Sequence, residues 1–160
     1  MSGQRVFGVT GWKNAGKTTL VERLVAEFVR RGWRVSTIKH AHHDVDIDQP
    51  GRDSFRHRAA GASEVAVVGG RRYAIMREEA DPALADVLAR LAPVDLVLIE
   101  GYTREAHAKI EVRAGDAPSL ADADPGIVAI AADAAPPEAH LPWFKRDDIA
   151  AIADFIAKRA

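Results

Sequence analysis

Residues 11–18 read Gly-Trp-Lys-Asn-Ala-Gly-Lys-Thr, and nothing else in the chain restricts its fold so tightly. Every fixed position of the phosphate-binding loop G-x-x-x-x-G-K-[ST] is filled. The flanks fit as well. Val6–Thr10 is an apolar run suited to a buried strand, and an amphipathic segment follows the loop. Glycines let the backbone curl until successive N–H groups point at phosphate oxygens. The partial positive charge of the following helix N-terminus adds to that field. Lys17 is placed to reach the β- and γ-phosphates, and the Thr18 hydroxyl to ligate Mg²⁺.

The rest of the chain alternates strands and helices. Leu20, Val21, Leu24, Val25, Phe28 and Val29 recur at helical spacing and predict a helix from about Lys17 to Arg31, stopped by Gly32. Val35–Lys39 is a second strand, which makes a right-handed parallel crossover with the first. A short helix is expected over 52–60 and a strand over Ser63–Val68. Gly69-Gly70 reads as a two-residue hairpin turn into Arg72–Met76. Asp81-Pro82 looks like an N-cap followed by a first-turn proline, opening a helix with Leu84, Val87, Leu88 and Leu91 on one face and Pro93 beyond it. Strands follow at Val94–Ile99, Ala108–Val112 and Ile127–Ala131. Residues 114–125 and 134–142 read as loops. A last helix, capped by Asp147 or Asp148, turns Ile149, Ile152, Phe155 and Ile156 inward. This pattern predicts one three-layer α/β domain with a mainly parallel sheet. Ligands of such sheets bind at the carboxyl ends of the strands.

The bulk numbers narrow the function classes. With 160 residues the chain can bury a real core. A net charge of -1 gives no basic field to hold nucleic acid. The absence of cysteine excludes disulfides, thiolate metal sites and a cysteine nucleophile. No signal peptide precedes the first strand, and no apolar stretch approaches a membrane span, so the expected compartment is the cytoplasm.

Two further constellations bear on chemistry. Asp95-Leu-Val-Leu-Ile-Glu100-Gly101 is a buried strand running up to a carboxylate. Phosphate-loop proteins place an acid there to reach the Mg²⁺ shell. Glu100 suits that role, since Asp95 lies at the strand's entry, roughly 16 Å away. Gly101 would allow close approach to the γ-phosphate. The second is Lys39-His40-Ala-His42-His43-Asp44-Val-Asp46-Ile-Asp48, followed by Gly51-Arg52-Asp53-Ser54. Its spacing matches no structural zinc pattern. Its aspartates suit Mg²⁺, and Asp53 is a candidate second carboxylate for that ion. Lys39, Arg52, Arg56, Arg58 and the histidines, His57 included, could receive an anionic second ligand. The base is less readable. Asn14 is the only asparagine, so no guanine-reading N-K-x-D motif is present. Asp133, after the late strand, could accept from guanine N1 and N2, or simply cap a turn. An alternative function for these parts is a kinase or ligase-like enzyme that phosphorylates a small acceptor held by the 40–58 segment.

Taken together, Gly11-x-Lys13-Asn14-x-Gly16-Lys17-Thr18-Thr19, Thr37-Ile-Lys-His-Ala-His-His-Asp-Val-Asp-Ile-Asp48, Gly51-Arg-Asp-Ser54 with Arg56-His57 and Ala60-Gly61-Ala62, and Asp95–Tyr102 resemble the molybdopterin-guanine dinucleotide biosynthesis protein B family. The resemblance covers residues 5–113 in register and continues more weakly to the last helix. It implies a GTP-binding adaptor with weak GTPase activity. Its partner would be the guanylyltransferase that joins GMP to molybdopterin, and other molybdenum cofactor biosynthesis proteins could also be met. It further implies a homodimer of the phosphate-loop class that includes dethiobiotin synthetase. Nucleotide contacts would fall to Gly11, Lys13, Asn14, Ala15, Gly16, Lys17, Thr18, Thr19 and Asp133. By analogy with that enzyme, Thr18, Asp53 and Glu100 would share Mg²⁺. One departure is visible: Lys13 stands third in the loop, where relatives with a signature lysine carry it second.

Overall fold

A computed structural model of the chain describes residues 4–41, 47–137 and 140–160. It forms two compact units, Met1–His40 with Ala89–Ala160, and Ala41–Leu88.

The first unit is built on a six-stranded sheet in the order β2-β5-β1-β6-β7-β8, in which every pairing is parallel. Its strands are β1 (Val6–Thr10), β2 (Val35–Lys39), β5 (Leu96–Glu100), β6 (Lys109–Arg113), β7 (Ile127–Ala132) and β8 (Trp143–Lys145). Helices α1 (Lys17–Arg30) and α4 (Ile149–Arg159) pack on each other, and their apolar faces join one side of the sheet. Phe7 and Val9 of β1, Leu96 and Leu98 of β5, and Ile110 and Val112 of β6 meet Leu24 and Phe28 of α1 and Ile152 and Ile156 of α4 there. The alternate positions of β6 face the other side. Lys109, Glu111 and Arg113 are buried there all the same. Glu111 accepts from Arg113 and from the Leu120 and Ala121 amides, while Lys109 pairs with Asp124 at 3.1 Å and donates to the Glu105 carbonyl. Burying these charges is tolerable because each is paired and hydrogen-bonded.

The second unit holds α2 (Asp53–Ala59) and the antiparallel pair β3 (Glu64–Val68) and β4 (Tyr73–Arg77). Asp48 organises its start: it accepts from Ser54 Oγ at 2.8 Å and from the Gln49 amide, and lies 3.6 Å from Arg58. Arg58 in turn donates to Glu78. α3 (Leu84–Arg90) follows in the chain, ahead of β5.

The structure corrects several sequence expectations. The hairpin turn is displaced by one residue: Val68 pairs with Tyr73, and the Gly69 amide donates to the Arg72 carbonyl, so Gly70 and Arg71 form its tip. Neither Gly69 nor Gly70 takes a positive φ, so the mirror-image turn that Gly-Gly suggests is not used. Asp81 is not a cap. It sits at φ 46°, and the first helical bonds of α3 are accepted by the Ala83 carbonyl. Residues 134–137 and 140–142 are loop as expected, but the edge strand β8 that follows was not, being too short at three residues to show a period. At the last helix the choice resolves to Asp148, whose carboxylate accepts from the Ala151 amide.

His107, just ahead of β6, has both ring nitrogens buried without a hydrogen-bond partner among the described residues. Burial, then the Lys109 charge, pushes its pKa from 6.5 down to about 4. The unfolded chain therefore takes up that proton first, so the stability is intact above pH 6.5 and lost as pH falls towards 4. Urea unfolding is expected to show this acid-side loss, and His107→Gln to flatten it. An unchanged pH slope in the variant would assign the loss to other groups.

Candidate functional site

The phosphate-binding loop links β1 to α1 by a backbone that only certain residues can follow. Gly11, Asn14 and Gly16 all have positive φ, at 151°, 62° and 101°. At Gly11 a Cβ would lie 2.5 Å from the Val112 carbonyl oxygen, so the loop is seated directly on β6. Asparagine is among the few side chains that tolerate the left-handed region. Gly16 occupies the N-cap position of α1, which has no side-chain cap. The helix amides at this end are therefore open to an anionic ligand. Lys17 Nζ donates to the Gly11 and Trp12 carbonyls at 2.8 and 2.9 Å, which holds the ammonium across the loop. Ala15 is buried, whereas Lys13, Asn14, Thr18 and Thr19 are exposed. Trp12 donates its indole N–H to the Pro118 carbonyl, fastening the loop's outer side to the 114–121 segment.

β5 pairs with β1 from Val97 to Glu100, so Glu100 lies opposite Val9 and emerges beside the start of α1. Thr18 Oγ1 donates to Glu100 Oε1 and Oε2 at 3.0 and 3.2 Å. Lys39 Nζ, from the end of β2, lies 3.9 Å from Glu100 Oε1. Hydroxyl and carboxylate oxygens are the hard donors that Mg²⁺ takes, with waters and phosphate completing its shell. Gly101 is constrained by its own backbone. Its φ is 99°, and a Cβ there would meet the His40 carbonyl oxygen at 2.7 Å. The next residue, Tyr102, also has positive φ, and its ring stacks on His40 with centroids 4.1 Å apart.

Asp133 follows β7 and is held by a residue that no sequence motif marks. Arg146, just after β8, donates to both Asp133 oxygens at 2.7 and 2.6 Å and to the Ala15 carbonyl at 3.1 Å. No local signal marks Arg146, because β8 is too short to show periodicity and the neighbouring Asp147-Asp148 has the letters of a helix cap. Lys109, Glu111 and Arg113 were missed for a similar reason: alternating charges normally mean a solvated strand face.

Thr18, Glu100 and Lys39 are thus brought together, with Lys17 on the same loop and Asp133 tied to it through Arg146. Asp95 is not part of this group. Its carboxylate accepts from the Arg34 amide at 2.7 Å, and that bond holds its pKa below the usual carboxylate value. Arg52, Asp53, Arg56 and His57 lie on or beside α2 in the second unit, all exposed. Arg58, also there, is engaged by Asp48 and Glu78. His42, His43, Asp44 and Asp46 lie outside the described residues. Among the described residues, no group of three or more His, Asp or Glu forms a metal cluster. No helix among them is long and apolar enough to cross a membrane.

Residues 6–133 match the profile of the family described as molybdopterin guanine dinucleotide synthesis protein B. The chain is similar to the molybdopterin-guanine dinucleotide biosynthesis adapter proteins of Haemophilus influenzae and Escherichia coli. The first is 38% identical over 94% of this chain and 86% of the relative. The second is 36% identical over 96% of this chain and 91% of the relative. Among solved structures, a MobB homologue from Bacillus stearothermophilus is 31% identical, with a TM-score of 0.69 over 96% of this chain and 99% of that one. Bacillus subtilis MobB superposes with a TM-score of 0.77 over 97% of each chain at 24% identity, a likeness of fold. The shared architecture is the three-layer α/β fold of phosphate-loop NTPases with a mainly parallel sheet.

The seating of the loop on β6 predicts the effect of Gly11→Ala. The positive φ and the close carbonyl together are expected to cost about 1–3 kcal/mol of stability. Thermal unfolding would read this as a lowered midpoint, and a midpoint equal to that of the parent would refute it.

Proposed function

The chain belongs to the molybdopterin guanine dinucleotide synthesis protein B family, and on that premise we propose that it acts as a GTP-binding adaptor in molybdenum cofactor biosynthesis. Its partner in this reading is the guanylyltransferase that attaches GMP to molybdopterin, with which it works in the cytoplasm as a homodimer. The observation that carries the proposal is the joining of the phosphate-binding loop to Glu100 through Thr18, with bonds of 3.0 and 3.2 Å.

Each residue has a physical task. The loop amides and the α1 N-terminus receive the phosphate oxygens, and Lys17 neutralises their charge. Ala15 and the glycines let the backbone approach, Lys13 and Asn14 line the loop, and Thr19 continues it into α1. Thr18 and Glu100 would supply hard oxygens for Mg²⁺, which would screen phosphate charge there. Asp133 accepts from the N1 and N2 hydrogens of guanine. Lys39, His40, His42, His43, Asp44, Asp46, Arg52, Arg56 and His57 serve the second ligand or the partner protein. Hydrolysis is slow in this reading, because the loop and the strand ends beside it carry no glutamine to position water.

Calorimetric titration with GTP and Mg²⁺ tests this directly. Lys17→Ala is expected to weaken GTP binding about ten- to a hundredfold, the value of a lost charge-assisted hydrogen bond. Glu100→Gln should keep most metal-free binding but blunt the gain from Mg²⁺. Absence of GTP binding by the parent chain would overturn the proposal.

A further inference from the structure

β7 and β8 are adjacent parallel strands, and Ala132 is in register with Lys145. The residues that leave them, Asp133 and Arg146, therefore emerge side by side at the same sheet edge as the phosphate-binding loop. Arg146 spends its planar fork in two directions. Nε and Nη2 grip both carboxylate oxygens of Asp133, and Nη1 donates to the Ala15 carbonyl inside the loop. Its own amide is fixed by the Ala132 carbonyl at 3.2 Å. A carboxylate has about four acceptor positions, and the guanidinium uses one on each oxygen. The others remain, and the Asp133 side chain is 62% exposed while Arg146 is 32% exposed. One rigid side chain thus sets the position of an outward-facing acceptor relative to the loop that would hold the phosphates.

We propose that Arg146 is the specificity-positioning residue of the nucleotide site: it clamps Asp133 at a fixed offset from the phosphate-binding loop, so that Asp133 meets the N1–H and N2–H edge of a guanine whose phosphates lie in the loop. This rests on the reading of residues 11–18 as a GTP site. The guanidinium occupies the paired face of the carboxylate, so guanine's two donors on that edge meet the outward position of one Asp133 oxygen, which accepts from both. Adenine presents a bare N1 acceptor, which a carboxylate repels. Discrimination requires the acceptor to stay put, since a carboxylate on a free side chain could turn away from the wrong base at little cost. A bidentate guanidinium removes that freedom, and a lysine, which offers a point charge without the fork, cannot reproduce it. The clamp accounts for guanine selection without an N-K-x-D motif.

The test is titration of the full chain, with Mg²⁺, against GTP, ATP and inorganic tripolyphosphate. The parent is expected to prefer GTP to ATP by about ten- to a hundredfold, the range for charge-assisted hydrogen bonds. Arg146→Lys should lose most of that preference while its tripolyphosphate affinity changes by less than about threefold, within an ordinary hydrogen bond. Asp133→Asn should also lose the preference, because its amide turns a donor towards the guanidinium and breaks the clamp. Three results overturn the proposal while leaving the phosphate site standing: equal affinity of the parent for GTP and ATP, a GTP-to-ATP ratio that survives Arg146→Lys, or one that survives Asp133→Asn. Parallel loss of tripolyphosphate and GTP in Arg146→Lys would make the arginine a strut of the loop and also overturn it. A parent chain that binds none of the three ligands overturns the GTP site and this clamp with it.

Discussion

The seat of the phosphate-binding loop on β6 is the contact on which the rest of the site depends. Gly11 rests against the Val112 carbonyl so closely that a methyl group would not fit. That contact fixes the angle at which the chain leaves β1, and so the direction of α1. It holds only because β1 lies between β5 and β6 in a wholly parallel sheet. With β5 on one side, Glu100 arrives next to Thr18. With β6 and β7 on the other, the ends of β7 and β8 come within reach of the loop. A central strand position therefore supplies both flanks of the site at once.

The two faces of the sheet are stabilised in different ways. The α1–α4 side is an ordinary apolar core in which Phe7, Leu24, Leu98 and Ile152 are fully buried. The opposite side of β6 is ionic: Glu111 holds Arg113 and the amides of Leu120 and Ala121, and Lys109 holds Asp124. Paired charges of this kind contribute little net stability compared with apolar packing, but leaving one partner alone is costly. Their effect is directional. Glu111 ties the 114–121 segment to the strand beneath it, and Trp12 ties the same segment to the loop through Pro118. The outer wall of the site is thereby fixed by polar bonds that tolerate only one arrangement.

Local signals carried much of this. The loop motif, the strand before it and the helix after it can be read from residues 6–31 because their spacing is dictated by backbone sterics and by the 3.6-residue period. Glu100 is legible because a run of four apolar residues ends on it. Asp148 fills a cap that the sequence narrows to two neighbours. The failures have equally physical causes. Asp81-Pro82 has the letters of a helix start, yet the chain takes Asp81 through a left-handed turn and begins α3 later. Gly69-Gly70 permits a mirror-image turn without requiring one. A three-residue strand such as β8 has too few residues to display alternation.

Short-range backbone and side-chain rules are enough to set a phosphate-binding loop between a buried strand and a helix and to pair an acidic strand end with it. Which charges are buried, and which residues meet across the sheet, emerges only when the strands assemble. Arg146 lies 131 positions from Ala15 in the chain, and they meet because the sheet order sets the ends of β1 and β8 on one edge. Strand order is fixed by the packing of the whole domain, and no local window of sequence contains it.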